Sequence, residues 1–163
     1  MNEKERLSAL NEMERQEAYI QNREPAEVIS RDMESYEGGS YNHDTNTISI
    51  NSDHISNDEA YDAHRAYYHE SRHAYQHEQA KNPAEANNPE QAQEWKENHA
   101  NYITPEQDYD GYKNQPVEKD ANEYATTRMH EYNEAQGVSF AAQVEKENQT
   151  IDTSQSIDTG ISQ

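Results

Sequence analysis

The chain has 163 residues, with 33 Asp and Glu against 13 Lys and Arg, and a formal net charge of -20. The length fits one domain, and the charge leaves no basic surface for nucleic-acid phosphates or an anionic membrane. There is no Cys, which excludes disulfides, thiolate zinc sites and cysteine nucleophiles.

The apolar complement is small. Leu, Ile, Val and Phe together number 16, a level at which a highly charged chain is usually disordered. The 12 Tyr and the single Trp, Trp95, must carry much of the burial, and a bound metal would add its binding energy to folding. The opening MNEKERLSALNEMERQ lacks the apolar stretch of a Sec-type signal, and no segment is long or apolar enough to span a membrane. The expectation is a cytoplasmic protein, or one delivered by a route that needs no signal peptide.

Residues 3–22 read as a helix in which Leu7, Leu10, Met13 and Ile20 form an irregular apolar stripe, suited to packing or to binding a partner. A second short helix is expected from Pro25 to about Tyr36, making residues 1–36 an N-terminal helical segment. Gly38-Gly39 marks a turn and Tyr41 to Asn46 a hairpin loop. Thr47-Ile48-Ser49-Ile50-Asn51 then alternates as a half-buried strand does. That strand either offers the edge on which an extended peptide pairs or only covers the next helix. The Gly- and Pro-free run Ser56–Asn82 predicts a long helix, capped by Ser56 or Asn57-Asp58. Residues 81–92 are turn-rich, a short helix over 91–101 carries Trp95 as a core anchor, and 102–116 is irregular. Pro116 opens a helix that runs to about Asn133. Residues 138–147 read as a last short helix, and the tail 148–163 as disordered. The fold class is α+β, mostly helical, with one compact domain over 37–147 and a small edge sheet.

Inside the long helix stands His69-Glu70-Ser71-Arg72-His73. A helix turns about 100° and rises about 1.5 Å per residue, so His69 and His73 lie one turn apart on one face, where two imidazoles can meet one metal ion. Glu70 lies one residue round, offset from the ligands but placed to deprotonate a metal-bound water. Two neutral imidazoles keep Zn²⁺ electrophilic, which is why the chemistry needs this spacing. The competing reading is a solvated polar helix that happens to be rich in His. On the later helix, Glu118, Ala121, Asn122 and Ala125 share a face, and the alanines allow close approach to another helix. A carboxylate there suits a third ligand; the alternative is an acidic residue favoured near a helix N-terminus by the dipole.

Taken together, HESRH and PVEKDANEYA resemble the zincin metallopeptidases of the gluzincin type, over residues 41 to 130. The pairing of HExxH with a Glu-x-x-Ala-Asn/Asp-x-Phe/Tyr-Ala helix is similar to that of compact bacterial, phage-associated and toxin-type peptidases. The resemblance implies a zincin-like domain with an active-site helix and one Zn²⁺ per chain, held by His69, His73, Glu118 and a water. It also implies Glu70 as general base and then acid, Asn122 as a partner to a ligand histidine, and a peptide or protein substrate. The metzincin continuation needs Gly at 76 and His at 79, and both are Gln. Asp120, about 200° round the helix from Glu118, is a rival ligand or a supporting residue, and His77 lies too far from His69 to share its ion. Candidates to stabilise an oxyanion are Tyr112, Tyr124, Tyr132 and His130, with Arg72 behind them. Two other functions fit: an inactive binding module that zinc holds together, and an acidic decoy for a nucleic-acid-binding partner. A bacterial or phage effector is the setting these motifs suggest.

Overall fold

A computed structural model describes residues 1–57 and 60–135. In chain order the elements are α1 (Glu3–Ile20), β1 (Glu27–Arg31), β2 (Gly39–Asn42), β3 (Thr47–Asn51), α2 (Ser52–Ser56), α3 (Ala60–Lys81), α4 (Pro89–Ala100), α5 (Tyr109–Asn114) and α6 (Pro116–Ala135), with a 3-10 turn at Pro83–Glu85. The fold is α+β and mostly helical, as expected. The chain divides into two units, Met1–Thr126 and Thr127–Gln163. The described part of the second is the end of α6, where Arg128 Nη1 pairs with Glu131 Oε2 at 2.5 Å. The short helix read at 138–147 and the tail beyond it lie outside the described residues, as do Asp58 and Glu59. No helix among the described residues is long and apolar enough to cross a membrane.

The sheet corrects two expectations. Residues 27–31, read as part of a helix from Pro25 to Tyr36, form β1, which pairs in parallel with β3, Val28 opposite Ile48 and Ser30 opposite Ile50. The helix does not resume after α1 because Asn22 takes a left-handed conformation (φ 52°), and the β-branched Val28-Ile29 pair gains more from strand pairing than from an isolated turn of helix. β1 thereby ties residues 1–36 into the same unit as the elements up to Thr126. β3, for which an edge position is one of the two readings from sequence, is the central strand of the order β1-β3-β2, with β2 antiparallel to it, Ser40 opposite Ser49. Ile48 and Ile50 are accordingly fully buried. β2 occupies residues read as turn and loop. The reversal is confined to His43–Asn46, where Asn42 Oδ1 accepts from the Asp44 N–H at 2.9 Å and Asn46 sits at φ 50°.

The two sheet edges differ. Along β1, the Asn11 amide of α1 accepts from the Val28 N–H at 3.0 Å and donates to the Val28 carbonyl at 2.9 Å. That edge is therefore covered by a side chain that mimics a strand. The outer edge of β2 has no strand partner among the described residues.

The helices α1, α3, α4 and α6 stand where the periodicity places them, to within a few residues. α2 and α5 are additions explained by their caps: Asn51 Oδ1 accepts from the Asp53 N–H and Asp108 Oδ1 from the Gly111 N–H. α3 packs against α1, α2, β2, β3 and α4. Trp95 is buried, as expected of a core anchor, edge-on to Tyr75 at 6.0 Å.

The core around α3 is part alanine and part polar. Leu10, Val28, Ile55, Tyr67 and Val117 are buried together with Ala18, Ala74, Ala92, Ala121 and Ala125, and so are Glu14, Glu17, Gln76, Gln115 and Glu118. Buried polar groups persist only when paired. Glu14 meets the Arg23 guanidinium through two bonds of 2.6 and 2.9 Å, with both side chains at 2% exposure or less. Replacing Arg23 by Met would leave the Glu14 carboxylate unpaired in the interior, at a cost of about 3–5 kcal/mol. Urea unfolding of Arg23→Met should show a loss of that size. Arg15→Met, which removes an exposed pair with Glu12, should leave the midpoint unchanged.

Candidate metal centre

Tyr67, Tyr68, Ser71 and Ala74 put one side of α3 into the core. His69, Glu70 and His73 consequently line a cavity of about 410 Å³. Glu118 enters the same cavity from the first turn of α6, carried by the buried Ala121–Ala125 face. His69 Nε2 stands 3.0 Å from His73 Nε2 and 3.3 Å from Glu118 Oε1, and His73 Nε2 stands 2.8 Å from Glu118 Oε2. Among the described residues, these three form the group whose donor atoms all lie within 4.8 Å of one another.

Three features fit this group to a zinc ion. Tetrahedral zinc bonds of about 2.0–2.2 Å place donor atoms about 3.3–3.6 Å apart, and with one donor atom from each residue the three lie within 4.8 Å of one another. Each imidazole is held through its other nitrogen, His69 Nδ1 at 3.0 Å from Asn122 Oδ1 and His73 Nδ1 at 2.8 Å from Gln76 Oε1. An amide oxygen can only accept, so each Nδ1 carries its proton and each Nε2 is the atom turned to the cluster. Finally, Glu118 Oε2 is buried and makes no hydrogen bond, although it lies within ion-pair distance of His73. A cation among the three would satisfy that oxygen.

The electrostatics agree. For Glu118, burial would raise the carboxyl pKa, but the adjacent imidazoles of His69 and His73 outweigh it and hold the group well below the usual carboxylate range. For His73, burial would lower the pKa, but the Glu118 carboxylate prevails and raises it to about 9. Glu70 is raised, chiefly by burial, which makes its carboxylate a stronger base. β2 closes over it. A Cβ on Gly39 would lie 2.7 Å from the Ser49 carbonyl oxygen and 3.1 Å from Glu70 Cγ, so the backbone can come this near only as glycine.

The other sequence candidates fall into place around these. Asn122 is on the His69 ring. Asp120 is outside the cluster: it takes Arg72 at 2.7 and 3.1 Å and the Gln76 amide at 2.8 Å. Gln76, read in the sequence only as a departure from another motif, thus joins His73, Asp120 and the Val117 carbonyl, to which it donates at 2.9 Å. Its position three residues after His73 was the available signal. Of the oxyanion candidates, Tyr112 lines the cavity. Tyr124 is a correction: its hydroxyl donates to Glu17 and accepts from Gln21 Nε2 at 3.1 Å, so it is turned to α1. Arg72 is held by Asp120 and lies over the rings of Tyr75 and Tyr124, 4.6 and 4.7 Å from their centroids. His130 and Tyr132 belong to the second unit, not to the one that holds the site.

Tyr102, missed because it sits in an irregular stretch, lines the cavity with Tyr112. The loop bearing it is anchored by Gln115, which donates to the Ile103 carbonyl and accepts from the Ile103 N–H. Burial first, and then Glu118, raise the pKa of both phenols, keeping them protonated donors. Burial also lowers His77 to about 3 and His99 to about 4. No family model, curated protein or solved structure matches the chain.

A metal must displace the proton that His73 holds below about pH 9. Protonation of the free site competes with the ion, so zinc affinity should rise by about tenfold per pH unit from 7 towards 9 and then level off. Chelator competition across that range measures it. Gln76→Leu frees His73 Nδ1 without touching a ligand and should weaken zinc binding by about 10–100-fold.

Proposed function

We propose that this chain is a zinc-dependent metallopeptidase of the gluzincin type, with His69, His73 and Glu118 holding one Zn²⁺ and Glu70 as general base. One observation carries the reading: donor atoms from α3 and α6 converge on a point beside a buried carboxylate, with both imidazoles already oriented through Nδ1. A bound zinc ion supplies a Lewis acid for the scissile carbonyl and lowers the pKa of water towards neutrality.

Glu70 accepts the proton of the attacking water and then hands it to the leaving amine nitrogen. Its raised pKa, caused chiefly by burial, makes the carboxylate a better acceptor of the water proton, and the proton so taken is then available to the amine. Tyr102 and Tyr112 are protonated phenols in the same cavity, and either can donate to the carbonyl oxygen as negative charge develops. The open edge of β2, whose Gly39, Ser40 and Tyr41 line the cavity, offers main-chain hydrogen bonds to an extended peptide. Because β1 is covered by Asn11, β2 is the edge left for such pairing. A net charge of -20 steers basic segments towards the protein.

Glu70→Gln tests the reading. It should retain zinc and lose about 10²–10⁴-fold in hydrolysis of any peptide the wild type cuts, while His73→Ala and Glu118→Ala should lose the metal as well. Full activity in Glu70→Gln on the same substrate would rule the mechanism out.

A further inference from the structure

The cavity continues past the metal cluster along a row of imidazoles that the reaction above does not use. His43 comes from the β2–β3 turn, His77 from α3 and His99 from α4, yet their rings form one stack. His43 and His77 have centroids 4.6 Å apart with planes at 18°, and His77 and His99 have centroids 3.9 Å apart at 4°. Tyr41 tilts against His77 at 5.7 Å. Tyr102 and Tyr112 line the same space, their own rings 6.3 Å apart. Adjacent imidazolium ions would repel at such a separation, so His77 and His99 stand as neutral rings.

The lining explains what the space would take. Its acidic members are Glu70 and Glu118, both committed to the reaction, and none of its described members is Lys or Arg. A Lys or Arg side chain entering here would lose water without a carboxylate of its own. An Asp or Glu would meet the two carboxylates already present. A small aliphatic group would gain no more than the apolar area it buries. An aromatic ring can pack offset or edge-to-face on imidazole and phenol rings, gaining contact energy beyond the area it buries.

We propose that the His43–His77–His99 stack, with Tyr41, Tyr102 and Tyr112, is a subsite for an aromatic side chain of the substrate next to the bond that is cut. The assignment rests on the peptidase reading for its substrate but not for its test. The full-length Glu70→Gln protein is titrated with capped tripeptides, acetyl-Ala-X-Ala-amide with X as Phe, Ala, Lys or Glu, while the histidine ring signals are followed by NMR. The Phe peptide should bind at least about tenfold more tightly than the other three, and its binding should shift the His77 and His99 signals. Adding His77→Ala, which removes the middle ring, should cut that advantage to below about threefold. His43→Ala, at the exposed end of the stack, should shrink it in the same direction and serves if the His77 variant folds poorly.

Equal affinities, no saturable shift with any peptide, or tightest binding of the Lys or Glu peptide would overturn the subsite. Wild-type protein that binds the Phe peptide selectively but hydrolyses none of the four would count against the peptidase reading and leave the subsite standing.

Discussion

The Glu14 carboxylate accepts four hydrogen bonds in the interior: two from the Arg23 guanidinium, one from the Tyr67 hydroxyl at 2.9 Å and one from the Ala26 N–H at 2.6 Å. A buried anion persists only when its charge and its lone pairs are matched together. The match sets three things at once. It holds α1 against α3, it shapes the turn that launches β1, and it fixes the rotation of α3 about its own axis. Tyr67 lies two residues before His69, so pinning its ring to the core leaves His69, Glu70 and His73 to face the cavity. Burial and then Glu14 push the Tyr67 phenol pKa far up, so it stays a donor. Through Glu17 and Tyr124, α1 grips the first turns of α6 in the same way.

A second layer of contacts turns this placement into a site. The Gln76 amide accepts from His73 and donates to Val117 and Asp120, linking a candidate ligand on α3 to the helix that carries Glu118. Asp120 is in turn clamped by Arg72, whose guanidinium is covered by the rings of Tyr75 and Tyr124. Bidentate pairing and ring stacking restrict that guanidinium to one position. Small residues bring the helices close and polar residues set their register. The precision of the three donor atoms then follows from α3 and α6 being locked just beyond them.

How much of this was legible in the sequence depends on how local the determining physics is. HESRH could be read because helical periodicity converts a four-residue spacing directly into one face. Glu118 could be read because alanines three and seven residues on mark the side that meets another helix. β1 could not, since Ala26-Glu27-Val28-Ile29 suits either state alone and its pairing with residues 47–51 decides. The central place of β3 was hidden for the same reason. Gln76 acts on a carbonyl 41 residues away, and no spacing rule reports that. The imidazole stack draws on three elements, so its members look in sequence like scattered surface histidines. Tyr124 misled in the other direction: a tyrosine near a ligand on the same helix faces whichever neighbour the tertiary fold supplies, here Glu17.

The low apolar content and the convergence of donors are two sides of one constraint. With few large aliphatic residues, the first unit fills its interior with alanines and with polar groups that must all be matched. The networks of Glu14, Gln76 and Gln115 meet that demand within the protein. The cluster at His69, His73 and Glu118 does not, because Glu118 Oε2 is left without a hydrogen bond while both imidazoles come within 3.3 Å of that carboxylate. A divalent cation would resolve this where added apolar surface could not, since it would neutralise the buried carboxylate and join α3 to α6 directly. Its binding energy would then count towards folding, and it would also relieve locally the self-repulsion of a chain at -20. On this view the residues that would hold the ion and those that complete the core are the same three, and removing a bound ion should loosen the contact between α3 and α6 before it disturbs the sheet.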